Sequence, residues 1–390
     1  MGNVTNLRHE IRMIGALDAL KAIRGDWEAL TAAAQDYSLC STYDYCELAT
    51  NSVLEAGGIV AVVMVYDDRD LQAVWPLAIH RQGLLRIAKA LTCGTGEEYG
   101  GPLVKDQTNR AVIAATVHAA RKVRADLLEV PAVRDGSLLQ EALESTPRSW
   151  LPPLLLDRLL VAEAVYQIRL GAFQRWEDFT ATLSSSQQRN LQRYGLKRLS
   201  TKGHAEWGWC TTAEDAEAVL TWLFANKRRW AESRGLRSKY LMDDQARDFF
   251  IAFARRIDLS TNPLVAFVKL DGVPVAASVN LVGPRTVEYF ITTYDEAHAN
   301  DSVGSMMTHF LVRWAHANGR DFDFRWFYAD YKARWVNHEE IQRPHLLFLR
   351  TRGRIMEISS LAKLVPRAWH KARKLIGRSL AKLKREPAGS

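Results

Sequence analysis

Near the end of the chain Tyr331, Lys332 and Trp335 stand in the spacing Tyr-Lys-x-x-Trp. They follow an alternating run from Asp321 to Phe327 that reads as a buried strand. At the mouth of a sheet the three supply a phenol, an ammonium and a broad apolar surface. A phenol can release a proton and an ammonium can hold developing negative charge, a combination that suits acyl transfer. The same residue types also describe a core strand followed by a solvated basic helix, so the spacing alone leaves both readings open.

The elements upstream decide what these side chains meet. Leu264 to Leu270 is an apolar strand, Asp271-Gly272 a hairpin signal, and Val273 to Val282 a returning strand. A third strand, Val287 to Tyr294, leads through a polar turn into Ser302-Val303-Gly304-Ser305. The helix that follows places Met306, Met307, Phe310, Leu311 and Trp314 on one face and ends near Asn318-Gly319. The first half has the same grammar. Ile59 to Tyr66 and Leu71 to Ile79 form a hairpin around Asp67 to Asp70, and after Glu97 to Pro102 come a helix, Asn109 to Lys122, and a strand, Asp126 to Val130. Two like α/β units in tandem follow from this order. Pro152-Pro153 and a strand near Tyr166 to Leu170 put the boundary around 160 to 170.

Three runs, DGVPVAASVNL from Asp271, YFITTYDEAHANDSVGSMM from Tyr289 and DFDFRWFYADYKARW from Asp321, resemble the C-terminal half of the GNAT acyltransferases of the CelD/BcsL type, relatives of the FemAB peptidyl transferases. The similarity covers most of residues 20 to 350, because Glu98 to Leu103 and Arg189 to Leu199 also fit. The resemblance implies an α/β (α+β) fold of tandem GNAT-like domains, each a mixed, mostly antiparallel sheet flanked by helices. The expected division is 1–165, a non-catalytic N-terminal domain, 166–350, the catalytic domain, and 351–390, a basic amphipathic tail. It further implies attack by an amine on an acyl thioester, with acetyl-CoA or another acyl-CoA as donor and no metal.

On that basis Ser302, Val303, Gly304 and Ser305 would offer backbone N–H groups to the coenzyme A pyrophosphate, and Val287 to Tyr294 would supply donors for the oxyanion. Gly304 matches the GNAT turn, whereas Asp301 and Ser305-Met306 depart from it. Tyr331 is the candidate acid or orienting phenol, Lys332 the charge for the oxyanion, and Trp335 a wall. Tyr294 and Asp295 are candidates for accepting a proton from the attacking ammonium, and Asp295 equally reads as a turn residue. Arg189 and Arg193 lie four apart on one helix face, capped by Ser184 to Ser186, as suits an anion or a solvated face. His298 reads as a surface residue. The acceptor expected from the resemblance is a sugar of an envelope or exopolysaccharide precursor. A long-chain lipid amine, a FemAB-like aminoacyl transfer to a peptidoglycan precursor, and a non-catalytic binder of nucleotides or anionic lipid remain the alternatives.

Composition sets the limits. With 390 residues, 47% apolar and 25% charged, the chain is globular and long enough for two cores. No window is long and apolar enough to span a bilayer, and the N-terminus has no apolar stretch behind a basic start, so cytoplasmic residence is expected. The four cysteines, Cys40, Cys46, Cys93 and Cys210, lack a C-x-x-C spacing and read as buried thiols, and no zinc pattern occurs. Leu361 to Ser390 holds nine Lys/Arg against one acid, so the whole net charge of +8 sits there. Leu361, Leu364, Val365, Ala368, Trp369, Ala372, Leu375 and Ile376 recur at helical spacing, so the tail suits an anionic membrane surface or packing on the last domain. Nucleic acid is not expected as a partner, since the neutral body carries no nucleic-acid signature.

Overall fold

The computed structural model describes residues 7–145, 162–193, 199–236, 239–326 and 329–354. β1 (Leu7–Ile14), β2 (Ile59–Asp67), β3 (Asp70–Gln82) and β4 (Leu85–Ala90) form an antiparallel meander. A short β5 (Leu103–Val104) pairs with β3, and the Arg110–Ala120 helix carries the chain to β6 (Leu127–Arg134), parallel to β4. Asn109 starts that helix, its side chain accepting from the Val112 N–H at 3.2 Å. After β7 (Glu163–Ile168) the plan repeats. β8 (Ala205–Trp209), β9 (Val265–Leu270), β10 (Val273–Val282) and β11 (Thr286–Tyr294) are antiparallel, and the Val303–Ala317 helix leads to β12 (Asp321–Asp323), parallel to β11. The hairpin expected at Asp271-Gly272 forms with both residues in the left-handed region (φ +51° and +79°), as a two-residue type I′ turn requires.

All described strands belong to one mixed, mostly antiparallel sheet in the order β1-β2-β3-β4-β6-β13-β7-β12-β11-β10-β9-β8, where β13 is His338–Phe348. The order is a palindrome about its centre. β7, which follows the first unit in sequence, pairs with β12 of the second; β13, which follows the second, pairs with β6 of the first, and the two meet antiparallel between them. Each unit thus lends its last strand to the other.

The helices repeat as well. On one face the Tyr43–Glu55 helix of the first unit and the Ala213–Ser233 and Gln245–Ala254 helices of the second share a continuous core. There Tyr45 meets Phe249 and Phe253 edge-on, with ring centroids 4.8 and 5.3 Å apart. On the other face Arg110–Ala120 and Val303–Ala317 each cover their own unit. The strand expected from Asp321 to Phe327 is shorter than its alternation suggests. It ends at Asp323, because Arg325 takes a left-handed φ of +63° and turns the chain away.

Candidate functional site

Three register pairs hold β11 and β12 together, Thr286 to Glu288 against Asp321 to Asp323. Beyond them β11 continues to Tyr294 while the other chain departs at Arg325, so the two part into lips. A bulge sits where they separate: Tyr289 faces Asn280 and Ile291 faces Val279, leaving Phe290 without a partner on β10.

Each lip carries a lysine. Lys227, from the Ala213–Ser233 helix, donates through Nζ to the Thr292 carbonyl at 2.8 Å, and its neighbour Asn226 donates to Thr293 Oγ1 at 3.0 Å and the Tyr294 carbonyl at 2.9 Å. Lys332 donates to the Phe324 and Trp326 carbonyls at 2.8 and 2.7 Å, and its side chain is buried. Burial lowers both ammonium pKa values, that of Lys332 to about 8, because a desolvated charge is disfavoured.

The first unit reaches over this opening with residues 93–102. Glu98 anchors the segment from inside: its carboxylate accepts from Tyr45 Oη at 2.9 Å, the Cys93 N–H at 2.6 Å and Thr95 Oγ1 at 2.9 Å. Glu97, next to it, interacts electrostatically with Arg325, Lys227 and Lys332 as well as with Glu98. Burial raises its carboxyl pKa more than these cations lower it.

Arg325 ties the units together. Its guanidinium is buried, pairs with the equally buried Glu288, donates to the Glu97 carbonyl and lies 4.2 Å from the Tyr99 ring centre and 4.6 Å from that of Trp326. Burial drives the Glu288 carboxyl up to about 7, while Arg325 pulls it down. A guanidinium does not release its proton, so a neutral Glu288 would strand an internal positive charge; the ionised pair is the arrangement we assign.

Beside this knot lies a cavity of about 770 Å³ between the units. Registered pairing puts its floor on one face of adjacent strands: Glu288 of β11 opposite Asp323 of β12, Asp323 opposite Gln167 of β7, and Gln342 of β13 opposite Arg134 of β6. In an antiparallel sheet one face is commonly polar and solvated, and here that face lines the cavity. Tyr99 Oη donates to Asp323 at 2.7 Å and closes one end. Tyr37 lies against Gly283 at another, where a Cβ would come within 2.3 Å of the Tyr37 carbonyl oxygen, so only glycine allows the wall to approach.

The residues singled out by sequence divide between several places. Tyr294, Asp295 and the turn Ser302 to Ser305 lie together at the β11 lip. The Tyr294 ring packs on Gly304, where a Cβ would stand 3.3 Å from it. Asp295 caps the turn, its Oδ1 accepting from the Ala297 N–H at 3.0 Å. Ser302 takes φ +60° at the start of the Val303–Ala317 helix and gives it no side-chain cap, leaving the first-turn N–H groups open to an anion. Val303 turns its side chain into the core. Asp301 is buried beside them, held by Lys202 at 2.7 Å and His298 at 3.0 Å, and the Lys202 ammonium lowers its pKa. On the other lip Tyr331 stands edge-on to Phe324 at 6.0 Å and is 40% exposed, and burial of its hydroxyl raises its pKa. Trp335 is packed in the core, stacked between Phe179 and His309 at 6.5 Å from each. Arg189 is exposed and donates to the Ser185 carbonyl of its own helix at 3.2 Å, with no described contact to the lips. The Arg193 side chain and residues 355–390 of the tail lie outside the described residues.

Glu97, Lys227, Arg325 and Glu288 were not singled out by sequence. Glu97 lay in a segment read only as a connection. Among the described residues no group of three or more His, Cys, Asp or Glu is arranged to hold a metal, all four cysteines are buried and free, and no helix is long and apolar enough to cross a membrane.

Residues 186–333 match the family described as acetyltransferase (GNAT) domain, and this match spans both lips and the turn between them. That region is similar to a GNAT domain, and the chain is an acyltransferase. Among solved structures, FemX aligns over 87% of this chain and 97% of its own, at 11% identity and TM-score 0.57. A conserved protein of unknown function from Bacteroides thetaiotaomicron aligns over 87% of this chain and 100% of its own, at 11% identity and TM-score 0.51. The C-terminal domain of a putative lysylphosphatidylglycerol synthetase from Agrobacterium fabrum aligns over 88% and 96%, at 13% identity and TM-score 0.49. At these identities the likeness is one of fold. No curated protein matches the chain in sequence.

Proposed function

We propose that the chain transfers an acyl group from coenzyme A to the amine or hydroxyl of a sugar in an envelope or exopolysaccharide precursor, as the resemblance to the CelD/BcsL type suggests. The observation that carries this reading is the parting of β11 from β12 beside a helix start whose N–H groups have no side-chain cap. The donor would lie along that opening, with Ser302 to Ser305 toward its pyrophosphate and the bulged end of β11 toward its carbonyl. Coenzyme A supplies an activated carbonyl with a good leaving group. Lys332 and Tyr331 on the opposite lip would face the developing charge, Tyr294 and Asp295 would border the nucleophile, and Trp335 would back the lip from within the core. Arg189 and Arg193 remain proposed anion contacts.

The sugar would enter by the 770 Å³ cavity, whose lining carries five carboxylates, Asp36, Glu288, Asp321, Asp323 and Glu340, against three arginines, Arg134, Arg169 and Arg285. Such a surface suits hydroxyl and ammonium groups rather than a phosphate. The test is thiol release by the purified protein from acetyl-CoA and from palmitoyl-CoA across a panel of amino sugars and lipid amines. Release stimulated by a sugar supports the reading; release stimulated only by lipid amines, or by no acceptor, sinks it.

A second reading, FemAB-like aminoacyl transfer to a peptidoglycan precursor, is favoured by the end-to-end alignment with FemX. Deacylation of aminoacyl-tRNA by the protein, with no acyl-CoA consumed, would decide for it. We further propose that the basic segment Leu361 to Ser390 holds the enzyme on an anionic membrane surface from the cytoplasmic side. Co-sedimentation with phosphatidylglycerol vesicles should be lost on truncation after Ser360, and unchanged sedimentation would discard the anchor.

A further inference from the structure

The cavity between the units has two unlike ends. One is the polar strand floor. The other belongs to the first unit, where β4 pairs with β6 only over Ile87 to Lys89 and β5 pairs only with β3, so among the described residues no ladder bridges β5 and β6. Gly100 fills this gap where it begins: at φ +47° its backbone passes so close that a Cβ would stand 2.4 Å from the Ala90 Cβ and 3.2 Å from the Pro131 ring. Farther on, the gap is an apolar slot. Leu103 and Val104 of β5 and Val133 of β6 line it, with Ile113 from the Arg110–Ala120 helix and Leu138 and Leu139 from the Leu138–Glu144 helix. The slot is the first unit's counterpart of the parting of β11 from β12, without an open helix start beside it. Both helix starts at the cavity are closed by their own side chains: Asn109 Oδ1 accepts from the Val112 N–H and Ser137 Oγ from the Gln140 N–H, each at 3.2 Å. Of the three lining arginines, Arg134 and Arg169 already pair with Glu340, and Arg169 also with Asp321. A diphosphate would therefore find few free donors. At the polar end Gln342 Oε1 is withdrawn from water and has no hydrogen-bond partner among the described residues, an acceptor that a ligand hydroxyl would satisfy.

We propose that the cavity binds a glycolipid, with the sugar hydroxyls on the strand floor against Gln342 and the aliphatic chain in the slot between β5 and β6. The assignment rests on the acyl-transfer reading above and names its acceptor as a sugar joined to an aliphatic chain rather than to a nucleotide diphosphate. A volume of about 770 Å³ is that of a pocket for a drug-sized ligand, more than one sugar ring fills. Burial of the chain supplies affinity in proportion to its length, whereas the hydroxyls, exchanging water for protein partners, supply mainly orientation.

The test is calorimetric titration of the full chain with hexyl, heptyl and octyl glucoside, each below its micelle concentration, and with UDP-glucose. Affinity should rise about fourfold with each added methylene, and UDP-glucose should bind more weakly than octyl glucoside. Leu138→Asp sets a charge in the slot at a first helical turn, where an acid suits the helix; it should fold as the parent does and flatten the dependence on chain length. Gln342→Leu should weaken all three glucosides alike, about 10-fold, and leave that dependence intact. Affinity that does not change with chain length, an unchanged dependence in L138D, parent affinity in Q342L, or tighter binding of UDP-glucose overturns the proposal. Chain-dependent binding with no acetyl-CoA consumed would leave the glycolipid site standing and remove the acyl-transfer reading. Consumption of acetyl-CoA with glucosamine, without chain-dependent binding, would do the reverse.

Discussion

Replacing Arg325 by methionine keeps the unbranched stem and the backbone strain at φ +63° but removes the charge from the knot between the units. Glu288, 4% exposed, would then be a buried carboxylate without a cation. Breaking a buried pair from one side costs about 3–5 kcal/mol, because the surviving charge keeps its full desolvation penalty. Three ring faces, those of Tyr99, Phe290 and Trp326, also lose their cation. The double variant Arg325→Met, Glu288→Met removes both charges, so it should recover to within about 1 kcal/mol of the parent. Urea unfolding at pH 7, followed by tryptophan fluorescence, measures both. Acid should narrow the deficit of the single variant, since a protonated Glu288 is no longer an unpaired charge. A single variant as stable as the parent, or a double variant no better than the single, would show that the knot is not held by the pair.

Lys332 has a pKa lowered to about 8 from 10.5. A base with a depressed folded pKa binds fewer protons folded than unfolded between those values, so its contribution to stability is present above about 10.5 and lost as pH falls through 8. The shift is worth about 3 kcal/mol. Lys332→Met should therefore flatten the rise in urea midpoint between pH 7.5 and 10, and parallel profiles would refute it. Glu98→Ala strands the Cys93 N–H, Tyr45 Oη and Thr95 Oγ1 and should destabilise by about 2–4 kcal/mol. Urea unfolding measures the loss, and a midpoint equal to the parent's would show that these three bonds do not hold the 93–102 segment.

Local chemistry made much of the fold legible. The hairpins at Asp67 to Asp70 and Asp271-Gly272, the apolar stripe of the Val303–Ala317 helix and the strands β2, β3, β9, β10 and β11 follow from alternation and turn residues, all short-range signals. β13 had no such signal: HEEIQRPHLLF alternates poorly, and its place between β6 and β7 depends on partners about two hundred residues away in sequence. The site divided along the same line. Tyr294, Asp295 and the Ser302–Ser305 turn sit on one local unit, so their proximity could be read from order alone. Arg325 and the Glu97 carbonyl meet from opposite units, 228 residues apart in sequence, so no local pattern could pair them. Trp335 shows the opposite limit, since an aromatic residue three positions after Lys332 reads alike whether it faces a cleft or, as here, stacks between Phe179 and His309. A residue type can advertise chemistry, but burial and partners decide it. Lys227 and Lys332 look like oxyanion groups by type, and their hydrogen bonds to the backbone carbonyls of Thr292, Phe324 and Trp326 make each of them first of all a strut within its own lip.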